Sequence, residues 1–150
     1  MKLKICVNDH ELKGYLHVDP YPLDGGPAFT GSLSDIKVVA SGECQEILAD
    51  KIMDYVAASD VLTCLRHWVS LLSRQGKLVI GGTDLISVAK GVYTQRLNLV
   101  DANKLIFGEK VRKNGQISLC DVADILVELG MTITKKRLED YSFVVEATRD

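Results

Sequence analysis

Several things are scarce in this chain or missing from it, and each absence removes a class of answer. No apolar run approaches the roughly 20 residues that cross a bilayer. Met1 to Val7 gives way at once to Asn8, Asp9, His10 and Glu11, which interrupts any signal-peptide core. A cytoplasmic protein with no membrane partner is expected. Cys6, Cys44, Cys64 and Cys120 are far apart, form no C-x-x-C pair and have no clustered histidines beside them. Neither a disulfide framework nor a metal site is indicated, and all four read as reduced thiols. The formal net charge of −2 offers no general attraction to a polyanion, and basic residues are scattered apart from Lys135-Lys136-Arg137. Nucleic acid is therefore not the expected partner.

What is present is the composition of a globular domain. With 47% apolar and 25% charged residues over 150 positions, the chain suits a single domain, 1–150, around one core. Lys2 to Val7 and Leu16 to Val18 are short runs fit for buried strands, joined by too few residues for a full helix. Pro20 to Ser34 is rich in Pro, Gly and Ser, which marks a long loop, either a lid or a shrunken connection. Ile36 to Ala40 and Glu46 to Ala49 predict a third and a fourth strand, and Lys51 to Val56 a short helical piece. The clearest helix opens on Ser59 as N-cap, repeats Val61, Leu65, Trp68 and Leu72 at helical spacing and stops at Gly76.

Lys77 to Ile80 predicts a fifth strand, turning at Gly81-Gly82-Thr83-Asp84 into a helix with Leu85, Val88 and Ala89 inward. A short helix from Val100 to Phe107 follows, then one opened by the capping pair Ser118 and Asp121. Met131 to Arg137 and Ser142 to Ala147, with a short polar link, read as an antiparallel hairpin. This order predicts an α/β fold: a Rossmann-like open sheet of about seven strands, mostly parallel with a C-terminal antiparallel hairpin, and helices on both faces.

The first two strands carry a finer pattern. Leu3 to Asp9 and Gly14 to Asp19 align without a gap with segments reading L-H-L-G-C-G-D and G-W-I-N-V-D. Glu46 to Tyr55 looks like E-I-Y-A-S-H-V-L-E-H, His67 to Leu72 like E-W-Y-R-V-L, and Gly76 to Ile80 falls on G-G-x-L-x-I. Thr83-Asp84-Leu85 stands for P-D-F and Leu129-Gly130-Met131 for A-G-F. Together these segments resemble small class I S-adenosylmethionine-dependent methyltransferases of the type 11 kind, over almost the whole chain. Cys6, Val7 and Asn8 replace the family's G-C-G, and Lys51 and Tyr55 replace its two histidines.

The resemblance implies S-adenosylmethionine as cofactor, lying across the carboxyl ends of the first and fourth strands. It places Cys6, Asn8 and Asp9 at the amino-acid end of the cofactor, with a Cβ on Cys6 and Asn8 narrowing the space that glycine leaves. It places Asp19 on the ribose hydroxyls, Ser41 with its neighbours near the adenine, and Asp50 with Lys51 on the adjoining edge. Each residue also has a local reading. Asp19 suits the turn into Pro20, Asn8-Asp9 is ordinary turn chemistry, and Asp50 can cap a helix. His10, His17 and His67 form no set, and no catalytic residue is named. Methyl transfer needs in-line approach and exclusion of water more than a base.

The expected function is an S-adenosylmethionine-dependent methyltransferase, or a methyltransferase-like protein with an altered cofactor loop, acting on an unidentified methyl acceptor. The rival is a catalytically inactive protein of this fold that serves as an interaction or assembly module, favoured by the replaced glycines. Self-association is expected through apolar surface such as Leu97, Leu99 and Phe107.

Overall fold

The computed structural model describes residues 1–22, 29 and 31–150. The expected lid from Pro20 to Ser34 falls partly outside them, at residues 23–28 and 30. The described strands are β1 (Lys2–Ile5), β2 (Leu16–Val18), β3 (Cys44–Ala49), β4 (Leu72–Thr83), β5 (Met131–Glu139) and β6 (Ser142–Arg149). They form one sheet in the order β2-β1-β3-β4-β6-β5. The first four are parallel, while β6 is antiparallel to β4 and to β5. The helices are α1 (Val61–Leu71), α2 (Leu85–Tyr93), α3 (Leu99–Phe107) and α4 (Leu119–Glu128).

Strand alternation decides where the core lies. Leu3, Ile5, Ile47, Ala49, Leu78, Ile80, Phe143 and Val145 share one face and are fully buried under Leu65 and Trp68 of α1 and Val122 and Leu126 of α4. Each large side chain so covered contributes about 1.5–3 kcal/mol. The other face carries Lys2, Glu46, Lys77 and Glu146, with ion pairs Lys2–Glu46 at 3.3 Å and Lys77–Glu146 at 3.5 Å. Helices α1 and α4 pack on the apolar face and not on this one. Residues 6–15 between β1 and β2 are too few for a crossover helix, and this face is polar enough to meet water.

The third strand expected at Ile36 to Ala40 is absent, which leaves six strands. Leu33, Ile36 and Val39 are buried at a period of three rather than two, and the segment runs as an irregular strap over α1. The Trp68 indole donates to the Leu33 carbonyl at 2.7 Å, and the Ile36 N–H donates to His67 Nε2 at 2.8 Å. Ser59 lies in a 3-10 turn, Ala58–Asp60, and the helix starts at Val61 and ends at Leu71, before Gly76. Gly81 and Gly82 belong to β4 and not to a turn, pairing with Val144 and Phe143. Ser118 does cap α4, accepting the Asp121 N–H at 3.2 Å. The hairpin turn has φ of 47° at Asp140 and 68° at Tyr141, the twist-matched pair of a tight two-residue loop.

Gly81 is where the sheet admits no side chain. A Cβ there would stand 2.4 Å from the Phe143 carbonyl oxygen and 2.5 Å from that of Asp50. Gly81→Ala is expected to lower stability by about 1–3 kcal/mol, read as a drop in the urea midpoint. An unchanged midpoint would show that β4 has room at this point.

Candidate functional site

The chain goes from β1 outward to β2, then returns across the sheet to β3 on the other side of β1. Open α/β sheets take ligands at the carboxyl ends of strands flanking such a reversal. Cys6, Asn8, Asp9, Asp19 and Asp50 all follow the carboxyl ends of β1, β2 or β3. Ser41 does not join them. It precedes β3, and the next residue, Gly42, donates its N–H to the Ser70 carbonyl at 3.0 Å, at the amino end of the strand. With no third strand to end near the site, the strap carries Ser41 to the opposite edge.

Asp19 organises the corner. It is 4% exposed, and its carboxylate accepts the Asn8 N–H at 2.9 Å and the Tyr21 N–H at 2.8 Å, one on each oxygen. The turn reading of this residue is thus realised in the Tyr21 bond. Asn8 has φ of 49°, the left-handed conformation that Asn tolerates and that glycine adopts freely. Asp9 pairs with Lys4 at 3.0 Å and accepts the His10 N–H at 2.8 Å. Burial alone would raise its carboxyl, but the Lys4 and His10 hydrogen bonds and the charges of Lys4 and Lys51 outweigh that and hold it below the ordinary value. Asp50 lies half-buried at the end of β3, its carbonyl against Gly81.

Cys6 Sγ lies 2.6 Å from His17 Nε2 on the polar face of the sheet. Burial, with the nearby Asp9 and Asp19 charges, pushes this thiol up to about 11 against a partial opposing effect of Lys4. It stays protonated at neutral pH and is no nucleophile.

Two groups here were not anticipated. Asp54 is buried and accepts the Thr83 N–H and Thr83 hydroxyl, both at 2.9 Å, and the Lys113 ammonium at 2.8 Å. Lys113 also donates to the Leu105 carbonyl at 2.8 Å and Thr83 Oγ1 at 3.2 Å, so each of its three protons has an acceptor. The signal available in the sequence was an acid inside the apolar run Ile52-Met53-Asp54-Tyr55-Val56. Tyr55 is the second. It borders both a cleft of about 390 Å³ and another of about 460 Å³. The first lies among Pro20, Tyr21, Ser32, Asp60 and Asn114, the second among Asn8, Lys104, Lys110 and Lys113. Burial first, then the Asp54 and Asp19 charges, raise the Tyr55 phenol above its ordinary value and keep it a hydrogen-bond donor.

The architecture matches solved structures. The chain superposes on a Pyrococcus horikoshii protein with TM-score 0.60 and 13% identity, over 82% of this chain and 59% of that one. It superposes on magnesium protoporphyrin IX methyltransferase from Synechocystis with bound S-adenosylhomocysteine, with TM-score 0.55 and 17% identity over 82% and 51%. A Methanosarcina mazei S-adenosylmethionine-dependent methyltransferase gives 0.60 and 10% over 81% and 66%. The fold is the class I methyltransferase fold. The chain spans only 59% and 51% of the length of the first two of these structures. No protein-family model and no curated protein matches its sequence. Within the fold, Asp19 stands at the end of the second strand and Asn8 in the loop after the first, as the sequence pattern implied.

Two outcomes test this description. Lys113→Met strands the Asp54 carboxylate and is expected to cost about 3–5 kcal/mol. Adding Asp54→Leu should recover part of that loss in urea unfolding, and strictly additive losses would deny the pair. For the thiols, Cys120 is exposed while Cys6, Cys44 and Cys64 are buried, so a thiol reagent should label Cys120 alone in the folded protein. Burial raises Cys6 and Cys64 from 9.0 to about 11. Their protonated forms therefore favour folding below pH 9, and that contribution should fade as the pH rises from about 9 towards 11. Native labelling of three or four thiols at pH 8 would contradict this burial.

Proposed function

We propose that this chain is an S-adenosylmethionine-dependent methyltransferase-like protein of the type 11 kind, with the nucleoside part of the cofactor taken in the 390 Å³ cleft. The observation that carries this is the position of that cleft. It opens at the carboxyl edge beside Pro20 and Tyr21, the two residues after Asp19, where the sheet reverses direction. Its volume falls within the roughly 300–1,000 Å³ of small-molecule sites.

The residues fit the cofactor in part. Asp19 is buried behind the cleft wall of Pro20 and Tyr21, each oxygen accepting one N–H, so a ribose hydroxyl would reach its remaining acceptor positions only if that wall gave way. Asn8 holds the glycine-like turn, so its backbone can face the amino-acid end. Ser32 and Ser34 offer hydroxyls, and Tyr21, held by the Asn114 amide at 2.8 Å, walls the cleft. When bound, S-adenosylmethionine supplies a methyl group on a positively charged sulfur. The protein's part is to orient it and keep water out, with Tyr55 between this cleft and the second one, where the acceptor would lie.

A second reading has its own support. Asp19 is nearly closed to solvent and Cys6 fills with a thiol the place of a glycine, which favours a protein that kept the sheet and serves assembly instead. Calorimetric titration with S-adenosylmethionine and S-adenosylhomocysteine separates the two. The proposal expects micromolar affinity for both, lowered on the order of tenfold or more, about 1.4 kcal/mol, by Ala57→Trp, which blocks the cleft without touching the core. A folded protein that takes up neither ligand at millimolar concentration would leave the assembly reading. Affinity gained only in Cys6→Gly with Asn8→Gly would mark a decayed site.

A further inference from the structure

The helices α2 and α3 are built on one pattern. Asp84-Leu85-Ile86-Ser87-Val88-Ala89-Lys90-Gly91-Val92-Tyr93 recurs 14 residues later as Asn98-Leu99-Val100-Asp101-Ala102-Asn103-Lys104-Leu105-Ile106-Phe107. Both copies fold alike. Asp84 caps the first by accepting the Ser87 N–H at 2.9 Å, and Asn98 caps the second by accepting the Asp101 N–H at 2.8 Å. Val88 and Val92 of one helix and Ala102 and Ile106 of the other enter a shared cluster with Leu97 and Tyr141. Leu97 is thus spent inside the molecule and is not free for a partner.

The equivalent positions on the outer sides are apolar and open to solvent. Ile86 is 59% exposed, Tyr93 89%, Leu99 69%, Val100 67% and Phe107 51%. Leu85 and Ala89 were expected to face inward, but they are exposed as well. A folded protein has no reason of stability to keep such a surface twice over.

Charge indicates what covers it. From Leu85 to Arg112 the chain has the basic residues Lys90, Arg96, Lys104, Lys110 and Arg112 against two acids, Asp101 and Glu109, in a protein of net charge −2. Lys90 and Lys104 occupy equivalent places in the two copies of the pattern, each on the flank of its apolar stripe. A second copy of the chain meeting this face about a two-fold axis would set like charges together. None of Ile86, Tyr93, Leu99, Val100 and Phe107 lines either cleft described above, although Lys104 borders the second, so the apolar part of the patch offers no groove for a peptide.

We propose that the paired helices dock the protein on an anionic bilayer surface. The apolar side chains enter the boundary between headgroups and acyl chains, and the two lysines reach up to the headgroups. Among the described residues no helix is long and apolar enough to cross a membrane, and docking needs none. The lack of a spanning run, behind the expectation of no membrane partner, does not bear on a surface contact.

The test is co-sedimentation of the whole chain with vesicles of phosphatidylcholine alone or mixed with phosphatidylglycerol, at low and high salt, with sedimentation velocity of the lipid-free protein. Binding is expected to rise on the order of tenfold with the anionic lipid and to fall in high salt. Ile86→Ser with Val100→Ser, and separately Lys90→Glu with Lys104→Glu, should each remove most of it with the circular dichroism spectrum unchanged, since all four side chains lie outside the core. Equal or absent binding to both vesicle types overturns the proposal. So does binding that survives the serine pair, or a dimer in solution that the serine pair dissociates, which would make the patch an interface between copies.

Discussion

Asp54 holds together the end of the molecule at which any ligand would arrive. Removing a carboxylate from water costs several kcal/mol, and only full hydrogen bonding and an opposite charge offset it. The Thr83 hydroxyl and N–H tie Asp54 to the tip of β4, and Lys113 ties it to the segment after α3. Its own carbonyl takes the N–H groups of Asn114 and Gly115 at 2.8 and 3.1 Å. Three parts of the chain, the turn Met53–Tyr55, the tip of β4 and residues 113–115, therefore meet at one buried charge. Asp84 acts in the same manner beside it, capping α2 and accepting the Leu119 N–H at the start of α4 at 2.8 Å.

These two acids let a thin domain hold a defined carboxyl edge. Helices α1 and α4 cover a single face, and the ion-paired side chains of the other face add little, each such exposed pair being worth about 0–1 kcal/mol. Rigidity at the edge has to come from buried polar ties rather than from a second apolar layer. The related folds, which are longer, have more chain with which to do this.

Much of the sheet was legible in the sequence because it depends on local signals. Apolar runs at Leu3 and Ile47, the capping pair Ser118 and Asp121, and a polar link between two strands each fix their element nearby. The failures came where distant contacts decide. Ile36 to Ala40 has the composition of a strand, but with no neighbour to pair it the segment lies across Trp68 and His67 instead. Gly81 and Gly82 look like a turn, yet they lie in β4, where the Phe143 and Asp50 carbonyls crowd Gly81 and Met53 and Asp54 crowd Gly82. Of the candidate site residues, Asp19 and Asn8 could be placed after the second and first strands from their order along the chain. Ser41 was misplaced with the missing strand, and the Asp54–Lys113 pair joins residues too far apart in sequence for any local pattern to reveal.

The corner at β2 has a consequence for any ligand. β2 is three residues long and lies at the edge of the sheet, and its far end is secured to the first loop by the Asn8 N–H that Asp19 accepts, while the Tyr21 N–H closes the local turn. A segment with so few ladder bonds opens locally at much lower free energy than the core. For a ligand taken in the adjoining cleft, binding and closure of this corner would form a single linked equilibrium, in which the ligand would act as a missing piece of secondary structure and its affinity would include the ordering of the chain around it.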